Sequence, residues 1–167
     1  MNKKIRLTVT ASLLAALACI ATVIIKIPSP MNGYINLGDC IVLISGWMLP
    51  SAYGFLAAGL GSSLADVFSG FISYAPATFV IKGLMAVIAN CVFKLLKKKL
   101  GNTASWIVSG IAAEIFMILG YYVFEGSLLY GFVSSALNIP ANGVQGIAGL
   151  IIGTVLIKIF EKRITKL

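Results

Sequence analysis

Long apolar runs, separated by short polar or Gly/Pro-containing breaks, dominate the chain. The runs cover approximately residues 7–25, 37–49, 51–68, 77–96, 103–124 and 140–160. A helix needs about 20 apolar residues to cross a bilayer, and backbone groups in lipid must be paired within each helix. The runs also lack the alternation typical of barrel strands. The pattern therefore predicts an all-α membrane protein, a six-transmembrane-helix bundle that forms a single domain over residues 1–167. The second run is short, so it is either a tilted span or a re-entrant segment.

Positive charges set the predicted orientation. The chain carries 13 Lys and Arg against five acids, a formal net charge of +8. Most of the positive charges fall into three groups: Lys3, Lys4 and Arg6; Lys94 and Lys97–Lys99; and Lys158, Lys162, Arg163 and Lys166. Six spans place all three groups on one side, and an excess of Lys and Arg marks the cytoplasmic side. Both termini are therefore predicted to be cytoplasmic, with the basic loops facing lipid headgroups and not nucleic acid.

Composition excludes several classes of protein. Hydrophobic residues make up 59% of the chain, and the mean hydropathy is +1.01. Histidine is absent, which removes the commonest metal ligand and general base. The three cysteines are far apart and show no disulfide or zinc spacing. No glycine-rich lysine loop for nucleotide hydrolysis is present. We therefore expect no enzyme activity, no metal and no cofactor.

Polar side chains from distant parts of the sequence converge on the predicted outer half of the bundle. Ionisable groups inside a membrane indicate a functional site. The candidate substrate-binding residues are Asp39, Asp66, Lys82, Glu114, Tyr121, Asn142 and Gln145. Asn142 and Gln145 share one helix face and offer donors and acceptors suited to a heterocycle. Other interpretations stay open: an Asp66–Lys82 ion pair, Asp39 as a helix cap, or an interfacial tyrosine belt.

Small residues form a stripe along the first predicted helix. Ala11, Ala15 and Ala18 are spaced so that they share one face, which allows another helix to approach closely. The stripe is either internal packing or a docking face for a separate partner protein. Gly149 and Gly153, four residues apart on the sixth predicted helix, indicate internal packing.

Five stretches together resemble the substrate-binding S components of energy-coupling factor (ECF) vitamin transporters. The resemblance extends over nearly the whole chain, and its most specific part is Tyr74–Gly83. The stretches are Ala11–Ala15, Asn36–Asp39, Gly59–Asp66, Tyr74–Gly83 and Pro140–Gln145. It implies six helices with both termini inside, in a bacterial plasma membrane. It also implies an outward-facing vitamin site built from the last three helices and capped by the loop of residues 26–36.

The same resemblance implies partners and a mechanism. The alanine motif, matched by Ala11 and Ala15, docks onto a transmembrane coupling subunit, which two cytoplasmic ATPase subunits bind. Transport in this family proceeds by toppling of the S component in the membrane. Glu114 departs from the expected pattern because it lies deeper than a vitamin contact should.

The resemblance is strongest to S components linked to pyridoxine-like vitamers and to a hydroxymethylpyrimidine precursor. A small ring of this kind would suit Tyr121, Asn142 and Gln145. Riboflavin is the alternative ligand, with Trp47, Phe71 and Phe132 as further aromatic surface. A self-sufficient small-solute carrier and an assembly factor of a larger membrane complex are the competing classes.

Overall fold

The fold is a helical bundle with one small β-hairpin. The computed structural model describes residues 2–29 and 33–164, with side chains described through residue 159. Its elements are α1 (Lys3–Ile24), β1 (Ile27–Pro28), β2 (Tyr34–Ile35), α2 (Gly38–Met48), α3 (Ser51–Phe68), α4 (Ala75–Leu128), α5 (Phe132–Ser135), a 3-10 turn (Ala136–Asn138) and α6 (Ile139–Ile164). Of the third positive group, Lys166 and the side chains of Lys162 and Arg163 lie outside this description.

Helix α4 accounts for two of the predicted helices. Gly101 breaks it with a left-handed φ of 73°, a conformation that favours glycine, so residues 75–100 and 102–128 form two arms. The sequence predicted that helices end at the polar residues after positions 96 and 124, and these predicted ends are wrong. Lys97–Lys99 remain helical, and so do Glu125 and Gly126 in the second arm. Packing against neighbouring helices overrides the local charge and glycine signals there.

The outer surface of the bundle is apolar. Along α1, for example, Val9, Leu13 and Ile20 are all more than half exposed. Within the described residues, three helical stretches are long and apolar enough to cross a membrane: Lys3–Ile24, Ala75–Leu128 and Phe132–Ile159. An apolar exterior of this kind is stable in lipid and not in water.

Helix α2 lies at the centre of the bundle, where it packs against α1, α3, α4 and α6. It has 11 residues and thus a length of about 16 Å, roughly half the hydrocarbon thickness of a bilayer. Val42 and Leu43 have no exposed surface. The indole N–H of Trp47 donates to Ser109 Oγ at 2.9 Å, which ties α2 to the second arm of α4. The prediction that this helix is short is therefore confirmed. Because α2 is buried within the bundle, it does not need the length of a membrane-spanning helix.

Asn90 holds the sharp connection between α2 and α3. Its amide Nδ2 donates to the carbonyls of Gly46 (2.6 Å) and Leu49 (2.9 Å), and its Oδ1 accepts from Ser51 Oγ at 3.0 Å. The side chain is 2% exposed. Asn90 thus satisfies carbonyls that would otherwise be unpaired at a buried helix end.

We expect Asn90→Ala to lower the free energy of unfolding by about 1–3 kcal/mol, because it leaves buried carbonyls without donors. Thermal unfolding of the detergent-solubilised protein measures the effect. Ser63→Ala is the control, since the Ser63 hydroxyl donates to Leu60 O at an exposed site. Equal melting temperatures for the two variants would contradict the prediction.

Candidate functional site

A buried ion pair lies beneath the polar cluster. Lys82, in the first arm of α4, pairs with Asp39 Oδ1 in the first turn of α2, and both side chains are almost fully buried. Asp39 Oδ2 accepts from Gln145 Nε2 at 2.7 Å. Lys82 Nζ also lies 5.4 Å from the centroid of the Tyr121 ring, within cation–π range. The charges of Asp39 and Lys82 therefore compensate each other within the bundle.

The hairpin between α1 and α2 covers this cluster; we call its described residues, 25–29 and 33–37, the cap. The side-chain oxygen of Gln145 accepts from the backbone N–H of Asn36 at 2.9 Å and from Asn36 Nδ2 at 3.0 Å. At the other attachment, the hydroxyl of Tyr34 donates to Asp66 Oδ1 at 2.6 Å. Burial, followed by the charge of Asp66, raises the pKa of Tyr34, so this phenol stays a donor. The cap is therefore attached to both α6 and α3.

Aromatic side chains form one wall under the cap. The rings of Tyr34 and Phe71 have centroids 4.9 Å apart, and those of Phe71 and Tyr74 are 6.2 Å apart. Across from them, the hydroxyls of Tyr121 and Thr78 lie 3.0 Å apart. These rings offer apolar faces with polar tips, a combination suited to a heteroaromatic ligand.

A second carboxylate completes the polar surface. Glu125, near the end of the second arm of α4, is 3% exposed. Its Oε2 accepts from Asn138 Nδ2 at 2.9 Å, and its Oε1 accepts from the Tyr74 hydroxyl at 3.3 Å. Glu125 thus has donors for both oxygens at the edge of the site.

These groups enclose a narrow cleft of about 40 Å³. Residues of the cap, α3, α4 and the start of α6 line it: Ser29, Gly33, Tyr34, Asn36, Asp66, Phe71, Tyr74, Thr78, Tyr121, Glu125, Asn138, Asn142 and Gln145. Ligand pockets for drug-sized molecules are usually about 300–1,000 Å³. The cleft in this structure is therefore too narrow for a drug-sized ligand, and a ligand has to widen it, which requires the cap to move.

Glu114 lies deeper, in the second arm of α4. It is 5% exposed, and neither of its carboxylate oxygens has a hydrogen-bond partner. Gly146 and Gly149 of α6 make room for it: a Cβ at Gly146 would lie 3.0 Å from Glu114 Oε2, and one at Gly149 would lie 2.7 Å from Asp39 Cβ. Glu114 does not appear among the residues that line the cleft, so its assignment as a substrate-binding residue stays a prediction.

The structure brings the predicted residues together in two layers. Asp66, Tyr121, Asn142 and Gln145 line the cleft. Asp39 and Lys82 contact each other directly beneath Gln145. The suggested Asp66–Lys82 ion pair is wrong, because Lys82 pairs with Asp39. The suggested helix cap at Asp39 is also wrong: Asn36 Oδ1 accepts from the N–H of Gly38 and fills that role.

Sequence reasoning missed several lining residues. Tyr34 and Asn36 lie in the cap, and Thr78 and Glu125 lie on α4. Two signals for lining residues were available in the sequence. Thr78 is a polar residue within an apolar run, and Glu125 is an isolated acid near the end of another. Of the aromatic residues suggested for a larger ligand, Phe71 does line the cleft. Trp47 instead packs against Trp106 in the core, with ring centroids 6.4 Å apart, and Phe132 is half exposed outside the cleft.

The alanine stripe of α1 divides into two parts. Ala18 has no exposed surface and packs against Gly61 of α3, so it belongs to the interior and not to an exposed docking face. Ala11 and Ala15 are half-buried and line an open apolar groove between α1 and α3. Leucines of α3 form the other side of this groove: Leu56, Leu60 and Leu64. Gly149 and Gly153 pack against α2, as predicted.

The helical arrangement and the closed polar cleft define a membrane transporter's solute-binding subunit. A solved structure described as "Structure and mechanism of the S component of a bacterial ECF transporter" has the same fold. The two align with a TM-score of 0.75 at 20% identity, covering 96% of this chain and 98% of that one.

The sequence comparison is more specific than the fold. The family model for the ECF-type riboflavin transporter S component matches residues 2–162, and the chain belongs to this family. A Pyrococcus woesei protein described as "Uncharacterized protein in gap 3'region" is 34% identical over 146 residues, which span 87% of this chain and 95% of that protein. Membership implies a membrane protein that binds a vitamin and works with a coupling subunit and ATPase subunits, and not an enzyme.

Proposed function

We propose that this chain captures a small, water-soluble heteroaromatic vitamin or precursor, pyridoxine-like or hydroxymethylpyrimidine-like, in the cleft under the cap. Capture takes place on the extracellular side, and delivery occurs by toppling within a complex of the coupling subunit and two ATPase subunits. The observation that carries the proposal is the closed cleft itself, in which aromatic rings and hydrogen-bonding groups face one another beneath a hairpin attached at two points.

The size of the cleft favours a small ring. The closed site measures about 40 Å³, so any vitamin requires the cap to move outward. A single six-membered ring requires less movement than the three fused rings of riboflavin. The polar groups also match a small substituted ring, since Asn142 and Gln145 supply amides on one side and Asp66 supplies a carboxylate on the other.

The position of the cleft along α4 supports capture of the ligand from the extracellular side. Lys82 lies near the start of the first arm of α4, and Lys97–Lys99 lie near its end. Fifteen residues of helix separate Lys82 from Lys97, a distance of about 22 Å. Because the Lys cluster is expected in the cytoplasm, the cleft would face the opposite side.

Riboflavin is the second candidate, because the matching family is described by that vitamin. Phe71 and the three cleft tyrosines could contact a larger ring if the cap opened widely. A self-sufficient carrier is a weaker alternative. Apart from Glu114 and Thr154, whose buried oxygens lack described partners, the inner half of the described bundle offers few polar groups, since Asn90, Ser105 and Ser109 form hydrogen bonds within the protein.

The test is mass spectrometry of small molecules that co-purify with the detergent-solubilised protein, followed by titration with pyridoxine, hydroxymethylpyrimidine and riboflavin. We expect a stoichiometric pyridine or pyrimidine, together with a raised melting temperature on adding the same compound. A flavin would select the riboflavin alternative. A protein that none of the three compounds stabilises would refute the substrate proposal. Uptake into liposomes by the purified chain alone would favour the carrier.

A further inference from the structure

The cleft has an uneven charge. Two acids line it, Asp66 and Glu125, whereas no lysine or arginine appears among its described lining residues. The two nearby cations are occupied elsewhere. Lys82 is buried against Asp39, and Lys26 lies over the Tyr34 ring, 5.8 Å from its centroid, without lining the cleft. The described lining of the cleft therefore presents two acids to a ligand, and the two nearby cations lie behind it, Lys82 beside Tyr121 and Lys26 over Tyr34.

Asp66 has an unused acceptor within this site. Its side chain is 6% exposed, and its Oδ1 accepts from Tyr34. Among the described residues, its buried Oδ2 has no hydrogen-bond partner within normal geometry, although the Thr78 hydroxyl lies close to this carboxyl group. Leaving a buried carboxylate oxygen unpaired is costly, and a donor on the ligand would remove that cost. Glu125 differs, because Asn138 and Tyr74 already donate to both of its oxygens. Asp66 is therefore the carboxylate that is available to a ligand.

The aromatic wall provides a second attraction for positive charge. Tyr34, Phe71 and Tyr74 lie side by side along the cleft, and Asp66 lines the same space. Aromatic faces attract cations, and the attraction is larger where water is excluded. A carboxylate beside such faces favours an ammonium or a protonated ring and disfavours an anion.

We propose that Asp66 determines specificity by selecting ligands that carry a positive charge or an ammonium group, and that the cleft rejects phosphorylated forms of the same compounds. This inference rests on the proposed function, since it names the charge class of the vitamin that the site accepts. The donor on the ligand contacts Asp66 Oδ2, and the ring lies against the aromatic wall. A phosphate would bring two negative charges to a cleft that already holds two carboxylates.

The test compares pairs of compounds in which an aminomethyl group, charged as an ammonium, replaces an uncharged hydroxymethyl group. Binding is measured by isothermal titration calorimetry of the purified protein in detergent. The pairs are pyridoxamine with pyridoxine, and the aminomethyl with the hydroxymethyl form of 4-amino-2-methylpyrimidine. We expect the ammonium compound of a pair to bind about tenfold more tightly, as for one charge-assisted hydrogen bond. We expect pyridoxal 5′-phosphate to bind at least about tenfold more weakly than pyridoxal.

Asp66→Asn keeps the size and the contact with Tyr34, and we expect it to abolish the preference for the ammonium compound. Ser63→Ala, at an exposed position outside the cleft lining, is the control, and we expect it to keep that preference. Equal affinities within both pairs, or an undiminished preference in Asp66→Asn, would overturn the inference while leaving the proposed function intact. If Asp66→Asn fails to fold, the affinities of the wild-type protein for the compound pairs and for the phosphorylated compound still test the inference. If none of the compounds binds, the proposed function and this inference both fail.

Discussion

Ala15→Trp is expected to reduce vitamin uptake by at least about tenfold while leaving ligand affinity unchanged. Ala15 is half-buried and lines the apolar groove between α1 and α3, and it does not line the cleft. A bulky side chain fills the groove and prevents another helix from approaching closely, as association in lipid requires. Uptake is measured in cells that also produce the coupling subunit and the ATPase subunits. Binding is measured on the purified chain.

Leu13→Trp provides the matched control for this prediction. Leu13 lies on the same helix, is 59% exposed and does not line the groove, so a tryptophan there should be tolerated by both uptake and binding. Loss of binding in Ala15→Trp would mean that the residue serves internal packing. Normal uptake in Ala15→Trp would remove the groove from the transport mechanism. Ala18→Trp should disrupt folding, because Ala18 is completely buried.

Gln145→Ala should weaken vitamin binding by about 1–3 kcal/mol. The substitution removes the acceptor for Asn36 and the donor for Asp39, so the cap loses its attachment to α6 and the buried carboxylate loses a partner. Calorimetric titration of the purified variant measures the change, once the ligand has been identified. Unchanged affinity would show that neither the cap attachment nor the Gln145 amide contributes to binding.

Two further variants separate the roles of Gln145. Asn36→Ala removes the cap side of the hydrogen bond and leaves Gln145 in place, so it should reproduce part of the loss. Asn142→Ala alters an amide that lines the cleft one helical turn away. If Asn142→Ala weakens binding and Asn36→Ala does not, the amides act by touching the vitamin and not through the cap.

The sequence predicts the bundle well because apolar runs respond to one dominant constraint, the pairing of backbone groups away from water. The positions of the six runs correspond to α1, α2, α3, the two arms of α4 and α6. Their boundaries are less accurate. Lys97–Lys99 and Gly126 looked like breaks, yet the helix continues through them, since tertiary contacts outweigh local preference.

Only part of the candidate site could be predicted from the sequence: four of the predicted residues, Asp66, Tyr121, Asn142 and Gln145, line the cleft, and the contacts between residues were not predictable. Depth along each helix placed Asp39, Lys82 and Gln145 in the same half of the bundle, and in the structure Asp39 contacts both Lys82 and Gln145. Which carboxylate pairs with Lys82 depends on how the helices rotate about their axes, and periodicity in so apolar a chain gives little information on rotation. The contribution of Tyr34 and Asn36 was not predictable, because the path of a loop follows from its contacts and not from its composition.

The alanine stripe of α1 was also predicted only in part, because Ala18 is internal whereas Ala11 and Ala15 line a groove. Its spacing correctly indicated a helix face made for close approach. A stripe can meet a neighbour within the chain along one part and leave another part open, and sequence spacing does not separate the two. Here Gly61 of α3 packs against the Ala18 side chain, whereas Ala11 and Ala15 line the groove, which extends along α1 from Thr8 to Ile20.

The two-point attachment of the cap also has a consequence for timing. Entry of a vitamin into a cleft of about 40 Å³ has to wait until both the Tyr34–Asp66 and the Asn36–Gln145 contacts break. Association is then slower than diffusion and is limited by the frequency of opening. If the two contacts re-form over a bound ligand, its departure is limited by the same opening, and we then expect a long residence time. A slow gate of this kind allows a scarce nutrient to be held until a coupling subunit arrives, at the expense of the fastest possible capture.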